Sequence, residues 1–430
     1  MAITPRLVKK RKKRRVLGKS IEIQDRATYE DLELDAKVEL IRALIPIGLE
    51  RVSELLDDNV KQLAGERYQR QDPSKTASRY GFNRGSVRLA GQRVPIRVPR
   101  VRGAEGELPL ETYAALQANG EEDEVLMKRV LYGISCRNYE AAAQSIPGAI
   151  GLSKSTVSRS FVKQSAAKLR EFQERDLSTD RYVVLFLDGK SFAKDMMVMA
   201  LGVTEAGEKR FLGFVETDTE NSEVLTPFLR SLLDRGLEVS NGILVVIDGA
   251  KGLRSAVRQA FQKKSLVQRC QWHKRENVVS YLSKADRPHW RKRLQQAYNR
   301  PTYKEAHAAL MALYAELNNL NQSAAASLLE GLEETLTLHR LGVYGMLGRS
   351  LKTTNCIEST NALVEERCSK VDAWKNSNQK HRWLASALLE IEPRLRRIKG
   401  YRHSLKLKAA LIEDLKLDRN QETGSKKKVA

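Results

Sequence analysis

A chain of 430 residues with 75 Lys+Arg against 53 Asp+Glu, a formal net charge of +22, has room for two or three domains and a charge imbalance that favours a polyanionic partner. Hydrophobic content of 41% with 30% charged residues describes a core-forming protein, not a disordered one. No run approaches the ~20 apolar residues of a membrane span, no apolar segment with a cleavage site follows the basic N-terminus, and Cys136, Cys270, Cys356 and Cys368 are scattered, so neither a span, a secretory signal nor a disulfide framework is expected and a reducing, cytoplasmic location is.

Residues 1–15 hold eight basic side chains, Lys12 and Arg14 among them, and no acid. Like charges at that density repel, so a disordered arm over 1–30 is expected, ordering on DNA. Over 31–64, Leu34, Val38, Ile41, Ile45, Leu49, Val52, Leu55 and Leu56 recur at three- and four-residue steps, with Asp31 placed as an N-cap. The stripe suits either plain core or self-association, and Pro46 is expected to kink or split the helix. Val87 and Leu89, then Val94, Ile96, Val98 and Val101, alternate around Ala90-Gly91-Gln92 and predict a small basic hairpin over 86–101 that includes Arg97 and Arg100. The Gly- and Glu-containing stretch 103–120 reads as a linker and closes an N-terminal region, 31–120, suited to DNA binding or dimerisation.

Residues 121–178 have the shape of a helix-turn-helix. Asn138 to Ser145 supplies the first helix, residues 146–152 (Ile-Pro-Gly-Ala-Ile-Gly-Leu) the turn, and Ser153 the cap of the second helix. That helix is expected to bury Val157, Phe161, Ser165 and Leu169 and to present Lys154, Ser155, Ser158, Arg159 and Lys163, side chains suited to base edges and phosphates in a major groove. An ordinary helical hairpin has the same periodicity; the basic composition is what favours DNA.

From Tyr182 the pattern changes. Strands are expected over 182–187, 196–203 and 209–216, then a helix over Glu223–Asp234, a strand over 243–247, a helix over Leu253–Phe261, a strand over Leu266–Cys270 and a helix over His273–Leu282. This order is that of an α/β ribonuclease H-like core, placed at 179–283 and 346–392. An Ala- and Leu-rich all-helical insertion over 284–345 interrupts it, the last core helix falls near 355–368, and a basic region follows over 393–430, frayed towards Ala430.

Two strands lead into Asp-Gly, at Asp188-Gly189 and Asp248-Gly249, and a third acid, Glu358, stands in Thr354-Asn355-Cys356-Ile357-Glu358-Ser359-Thr360-Asn361. A carboxylate at the C-terminal end of a buried strand sits at the rim where open α/β sheets bind ligands. A single Asp-Gly is more simply a turn or a cap. Two at matching strand ends, with an acid-bearing helix, point to chemistry. Three carboxylates suit a pair of Mg²⁺ or Mn²⁺ ions, about 3.5–4 Å apart, which activate a hydroxyl and neutralise the departing oxygen of a phosphodiester. Asp188 is expected to bridge the pair, Asp248 to hold one ion and Glu358 the other. Asn355, one turn before Glu358, would orient it or touch a phosphate, and Glu365 is an auxiliary acid or a bystander. Cys270 and His273, at i, i+3, have no further soft ligands near for zinc. They are either a buried Cys with a capping His or an auxiliary pair in which His273 steers a phosphate or a carboxylate, with Lys274 and Arg275 adding phosphate contacts.

These motifs (Asp188-Gly189, Asp248-Gly249, Cys270-x-x-His273 and Thr354-Asn355-x-x-Glu358-x-x-Asn361), with the helical insertion between the second and third acids, resemble the bacterial Mutator-type insertion-sequence transposases, which use a DDE active site. The resemblance covers about 180–390 well and 80–175 more loosely, as a terminal-repeat-binding region. Gly189-Lys190-Ser191-Phe192 departs from the Tyr-containing pattern expected after the first acid, and Val364-Glu365-Glu366-Arg367 from a run of arginines after the third. The resemblance implies a nucleoid-associated DNA transposase. It would bind the terminal inverted repeats of a mobile element, free a 3′-hydroxyl and join it to target DNA, with two Mg²⁺ or Mn²⁺ ions per active site. Holding two double-stranded DNA ends at once implies a homodimer or higher oligomer. A ribonuclease H-like junction or repair nuclease, and a non-catalytic DNA-binding protein derived from a transposase, stay open as alternatives.

Overall fold

The structure, a computed structural model, describes residues 34–68, 77–89, 92–117, 122–134, 136, 153–192, 195–219, 221–369, 371 and 373–417. The basic arm with Lys12 and Arg14, Asp31, and the first helix and turn of the expected helix-turn-helix lie outside them. Two compact units divide the chain, 1–164 and 165–430.

In the first unit, α1 runs Leu34–Ala64 and neither ends nor splits at Pro46. A proline removes one helical donor, and the flanking turns keep theirs. The sheet is longer than the expected hairpin: β1 spans Ser78–Leu89, β2 Gln92–Gly103 and β3 Gly106–Leu108, antiparallel in that order. One face lays Val87, Val94, Val98 and Val101 on Val52, Leu56 and Val60 of α1. The expected linker is a folded element. After β3, α2 (Glu111–Gln117) follows a buried Leu110, and Tyr113 and Leu116 pack against the same core. Their three-residue spacing carries the helix; the surrounding Gly and Glu residues hid it. Two more helices follow, α3 (Glu122–Leu131) and α4 (Lys154–Glu174), of which α4 runs on past Gln164 into the second unit. Val157 and Phe161 of α4 are buried, as are Ser165 and Leu169 further along it.

The second unit is built on a five-stranded sheet. Its strands are β4 (Tyr182–Phe192), β5 (Asp195–Thr204), β6 (Lys209–Thr217), β7 (Ile243–Ile247) and β8 (Ser265–Arg269), in the order β6-β5-β4-β7-β8. The pairs β4–β5 and β5–β6 are antiparallel; β4–β7 and β7–β8 are parallel. Val183–Leu187 and Ile243–Ile247 are almost wholly buried, as strands covered on both faces must be. Three helices follow the strands: α5 (Ser222–Asp234), α6 (Lys251–Phe261) and α7 (Gln271–Ser280). Leu225, Leu229 and Leu232 of α5 and Leu253 and Val257 of α6 pack with Leu185, Leu187, Val245 and Ile247. The chain is thus mixed α/β, and the strand and helix order over 182–280 is the expected one.

One expectation is corrected at its centre. β4 does not stop at Asp188-Gly189 but continues to Phe192, because β5 pairs with it throughout, up to Phe192↔Asp195. Only its parallel pairing with β7 stops early, with Phe186↔Val246 as the last partners.

Six helices follow α7: α8 (Arg287–Tyr298), α9 (Tyr303–Leu320), α10 (Gln322–Leu329), α11 (Leu332–Thr335), α12 (Thr337–Arg340) and α13 (Tyr344–Leu351). Val278 and Leu282 join Trp290, Leu294, Leu310, Leu317, Leu328 and Leu336 in a separate apolar core. This helical body covers the edge of the sheet. Thr337 Oγ1 donates to Val267 O at 2.6 Å, Gln268 Nε2 donates to Thr335 O at 2.9 Å, and Leu338 N donates to Gln268 Oε1 at 3.0 Å. Without that cover, β8 would offer an unpaired strand edge.

The chain then returns to the sheet through α14 (Asn355–Cys368) and α15 (Ser377–Ile391). The expected basic tail is folded over most of its described part. Helix α16 (Ser404–Asp414) buries Leu407 and Leu411 and packs on β4 and β7, while Arg397 pairs with Glu208 at 2.9 Å and Lys408 with Glu205 at 3.1 Å. Apolar residues at four-residue spacing, masked by the lysines between them, decide this. No helix among the described residues is long and apolar enough to cross a membrane.

Candidate active site

The parallel register aligns two acids. Continued two residues past Phe186↔Val246, it sets Asp188 level with Asp248 on neighbouring strand lines, which run about 4.8 Å apart. Asp188 keeps the parity of Phe186, and the charge of Asp248 reaches its carboxyl. Asp188 remains in the strand, opposite Met199, and is 8% exposed. Asp248 has left its strand and turns the chain into α6, its Oδ1 accepting from Ala250 N at 2.9 Å. The two Asp-Gly pairs therefore differ. Gly249 has φ +113°, and a Cβ there would collide with the Arg269 guanidinium, so only glycine fits.

Glu358 comes from the first turn of α14. Its Oε1 accepts a short hydrogen bond from the hydroxyl of Thr354, a fully buried side chain at the helix N-terminus. The same Thr354 Oγ1 lies 3.3 Å from His273 Nδ1 and 3.5 Å from Cys270 Sγ. Three turns' worth of chemistry, from the end of β8, the start of α7 and the start of α14, thus meets at one hydroxyl. Asn361, one turn beyond Glu358, donates from Nδ2 to Asp188 Oδ2 at 3.0 Å.

The electrostatics record how close the acids are. Burial, followed by the charges of Asp248 and Glu358, pushes the Asp188 carboxyl up to about 6, against the pull of His273 and the Asn361 hydrogen bond. A hydrogen bond to Cys270 raises the His273 imidazole to about 9 against the effect of burial, helped by Cys270, Glu358 and Asp248. Burial pushes the Cys270 thiol up, but hydrogen bonds from His273 and Thr354 outweigh it and leave it below its ordinary value. At neutral pH His273 is an imidazolium beside the carboxylates. Its Nδ1 faces the Thr354 hydroxyl, whose single hydrogen serves either Glu358 Oε1 or Cys270 Sγ.

This donor set suits a hard divalent cation: carboxylate oxygens whose mutual repulsion a cation would relieve, with one amide fixing the most buried of them. As the side chains stand, no three His, Cys, Asp or Glu among the described residues converge tightly enough to enclose a metal ion. Asp188, Asp248 and Glu358 are the residues that would hold one.

Thr354 and Asn361 had not been singled out from the sequence for roles of their own. The hydroxyl that orients Glu358 comes from Thr354; Asn355, expected there, is exposed and donates its backbone N–H to Thr353 Oγ1 at 3.5 Å. The i, i+4 step from Thr354 to Glu358 was the available signal. Replacing Thr354 with Val, which keeps the shape and removes the hydroxyl, is expected to weaken the binding of Mg²⁺ by these acids roughly 10–100-fold. A metal titration of that variant checks it; an unchanged Mg²⁺ affinity counts against a positioning role.

Glu365 is exposed and pairs with Lys190 at 2.8 Å. Lys274 is no phosphate contact: it is 0% exposed, and its Nζ donates to Ser327 O at 2.6 Å and Glu330 Oε2 at 2.9 Å. It lies on the inner side of α7, where the helical body covers it. Arg275 is likewise engaged, with Gln295 Oε1 at 2.6 Å and Glu276 at 3.1 Å. In the first unit, Lys154, Ser155, Ser158, Arg159 and Lys163 are all exposed along one side of α4. Arg97 is exposed and stacks over Phe82 at 4.9 Å, whereas Arg100 is held by Glu107 through bonds of 2.8 and 2.6 Å.

Comparison with known proteins places this chain in a family. The model of "Transposase, Mutator family" matches residues 13–394. The chain is 31% identical over 251 residues to the transposase for insertion sequence element IS6120 of Mycolicibacterium smegmatis, covering 57% of this chain and 76% of that protein. It is 26% identical over 351 residues to the transposase for IS256 in transposon Tn4001 of Staphylococcus aureus (78% and 86%), and 28% over 284 residues to that of IS905 of Lactococcus lactis (64% and 70%). With a family match over most of its length and acids gathered at the rim of a mixed sheet, the chain belongs to the Mutator family of transposases.

Proposed function

We propose that this protein is a DDE transposase whose ribonuclease H-like core cleaves DNA at the terminal inverted repeats of a mobile element and joins the freed 3′-hydroxyl to target DNA. The observation that carries the reading is that the charges of Asp248 and Glu358, on separate elements, both reach the buried Asp188 carboxyl, whose strand runs in parallel register with the strand leading into Asp248.

Asp188, Asp248 and Glu358 would hold two Mg²⁺ or Mn²⁺ ions. When bound, such ions acidify the attacking hydroxyl and neutralise the departing oxygen. The chain's own side chains do the rest. Asn361 fixes one oxygen of Asp188 and leaves the other without that hydrogen bond. Thr354 fixes the Glu358 carboxylate. His273, kept protonated, offsets part of the carboxylate charge and stands ready to face a phosphate oxygen. The exposed basic side of α4, as the second helix of a helix-turn-helix, would enter a major groove, with Arg97 on the hairpin adding a phosphate contact. Two DNA ends call for at least a homodimer.

The test uses duplexes carrying the inverted repeats that flank the reading frame. Wild-type protein with Mg²⁺ or Mn²⁺ is expected to nick at the repeat ends and give joined products, and Asp248→Asn and Glu358→Gln to give neither while still binding. Hydrolysis without joining would favour a nuclease, and binding without chemistry a non-catalytic protein.

A further inference from the structure

Beside Asp188 the second unit contains a cavity of about 150 Å³. Phe192, Met197, Met199, Val364, Trp374 and Leu384 give it an apolar wall, and Lys190 and Glu365 add polar groups to its lining. Phe192 and Trp374 are in ring contact at 5.1 Å. Asn361 also lines the cavity. It is 5% exposed, and its Nδ2 is committed to Asp188, so the amide orientation is fixed by a partner that can only accept. Its Oδ1 is therefore an acceptor, and it is buried without a hydrogen-bond partner. A buried, unmatched acceptor on a side chain that lines an aromatic-walled cavity is costly unless a ligand, entering with a small shift of that side chain, completes it. The matching ligand is flat, aromatic and carries an N–H donor.

We infer that this cavity receives an unpaired nucleobase, extruded from the DNA next to the phosphodiester that Asp188, Asp248 and Glu358 act on. An amino or imino N–H of the base donates to Asn361 Oδ1, and its faces stack within the apolar wall. Because Asn361 spans the base and Asp188, base entry and the setting of the first carboxylate are linked. The assignment rests on the DNA-cleaving reading above.

The experiment places 2-aminopurine, whose emission rises on unstacking, in turn at each nucleotide flanking the cleavage point of a repeat-end duplex, bound to the full-length Glu358→Gln protein. Emission is expected to rise severalfold at one position and at no other. Val364→Trp, which fills the cavity, is expected to abolish the rise without weakening binding of the repeat end. In the otherwise wild-type protein the same substitution should slow joining about tenfold, the scale of one lost stacking interaction. Ser369→Trp, an exposed rim position that the fold tolerates more readily, is expected to act in the same way. Flat emission at every position, with a wild-type protein that does cleave the DNA, overturns the base pocket alone. A rise that survives both tryptophan variants also overturns it. Absence of metal-dependent cleavage by the wild-type protein removes the DNA-cleaving reading and the pocket with it.

Discussion

Replacing Asp188 with Asn is expected to abolish strand transfer and, in the same molecule, to make the metal-free protein harder to unfold. The activity loss should be on the order of 10³-fold or more, because several kcal/mol of transition-state stabilisation pass through a metal-holding carboxylate. The stability gain follows from the buried charge. The folded state lifts this carboxyl from an ordinary 3.8 to about 6, so ionising it costs the fold. A carboxyl raised in this way contributes stability that is fully present below about pH 4 and is lost as the pH rises through about 6. Asn avoids that loss and can still accept from Asn361. At neutral pH the gain is at most about 3 kcal/mol, a rise of several degrees in Tm. Thermal unfolding in chelator at pH 4 and pH 8 checks it. The variant should match wild type at the acid end and exceed it at the alkaline end. A variant that melts below wild type at pH 8, or that keeps joining DNA, would contradict the assignment of Asp188.

The second large effect lies away from the acids. Glu330 binds Arg269 at 2.7 Å and Lys274 at 2.9 Å, and thereby fastens the helical body to the last strand of the sheet. Glu330→Ala leaves Lys274, wholly buried, and Arg269, nearly so, without their carboxylate. Breaking a buried ion pair costs about 3–5 kcal/mol. The lower end applies here, because Glu330 is 44% exposed on its side chain and carbonyl oxygens still receive Lys274. Adding Lys274→Met should recover part of the loss, since an apolar side chain needs no counter-charge. A double variant no more stable than Glu330→Ala would refute this account. Burial opposes ionisation of Glu330, but its bonds to Lys274 and Arg269 prevail and hold it down at about 2. Its contribution is therefore present above about pH 4.5 and lost as the pH falls towards 2. Arg269 also packs against Gly249, so the variant should loosen the Asp248 turn and lower activity together with stability.

What was legible in the sequence had a local physical signature. The buried runs before Asp188 and Asp248 read as covered strands, because they are short, rich in β-branched and other apolar residues, and followed at once by Asp-Gly. The alternation of strand and helix over 182–280 then fixed their order, and net charge announced a polyanionic partner. Where local signals conflicted, the reading failed: the lysines of α16 hid its apolar stripe, and the glycines around β3 hid a folded segment.

Only the tertiary structure decided which residues meet. Residues 188, 248, 270, 273, 354 and 358 lie on four segments far apart in the chain, and no periodicity can report a distance between those segments. Parallel register levels Asp188 with Asp248. The return of α14 to the sheet brings Thr354 to His273 and Asn361 to Asp188. The same packing turns Lys274 inward, towards Glu330 and the carbonyl of Ser327, while the sequence alone would leave it facing DNA. Side-chain identity is written in the chain, but burial and pairing belong to the assembled fold, because they depend on what the other segments cover.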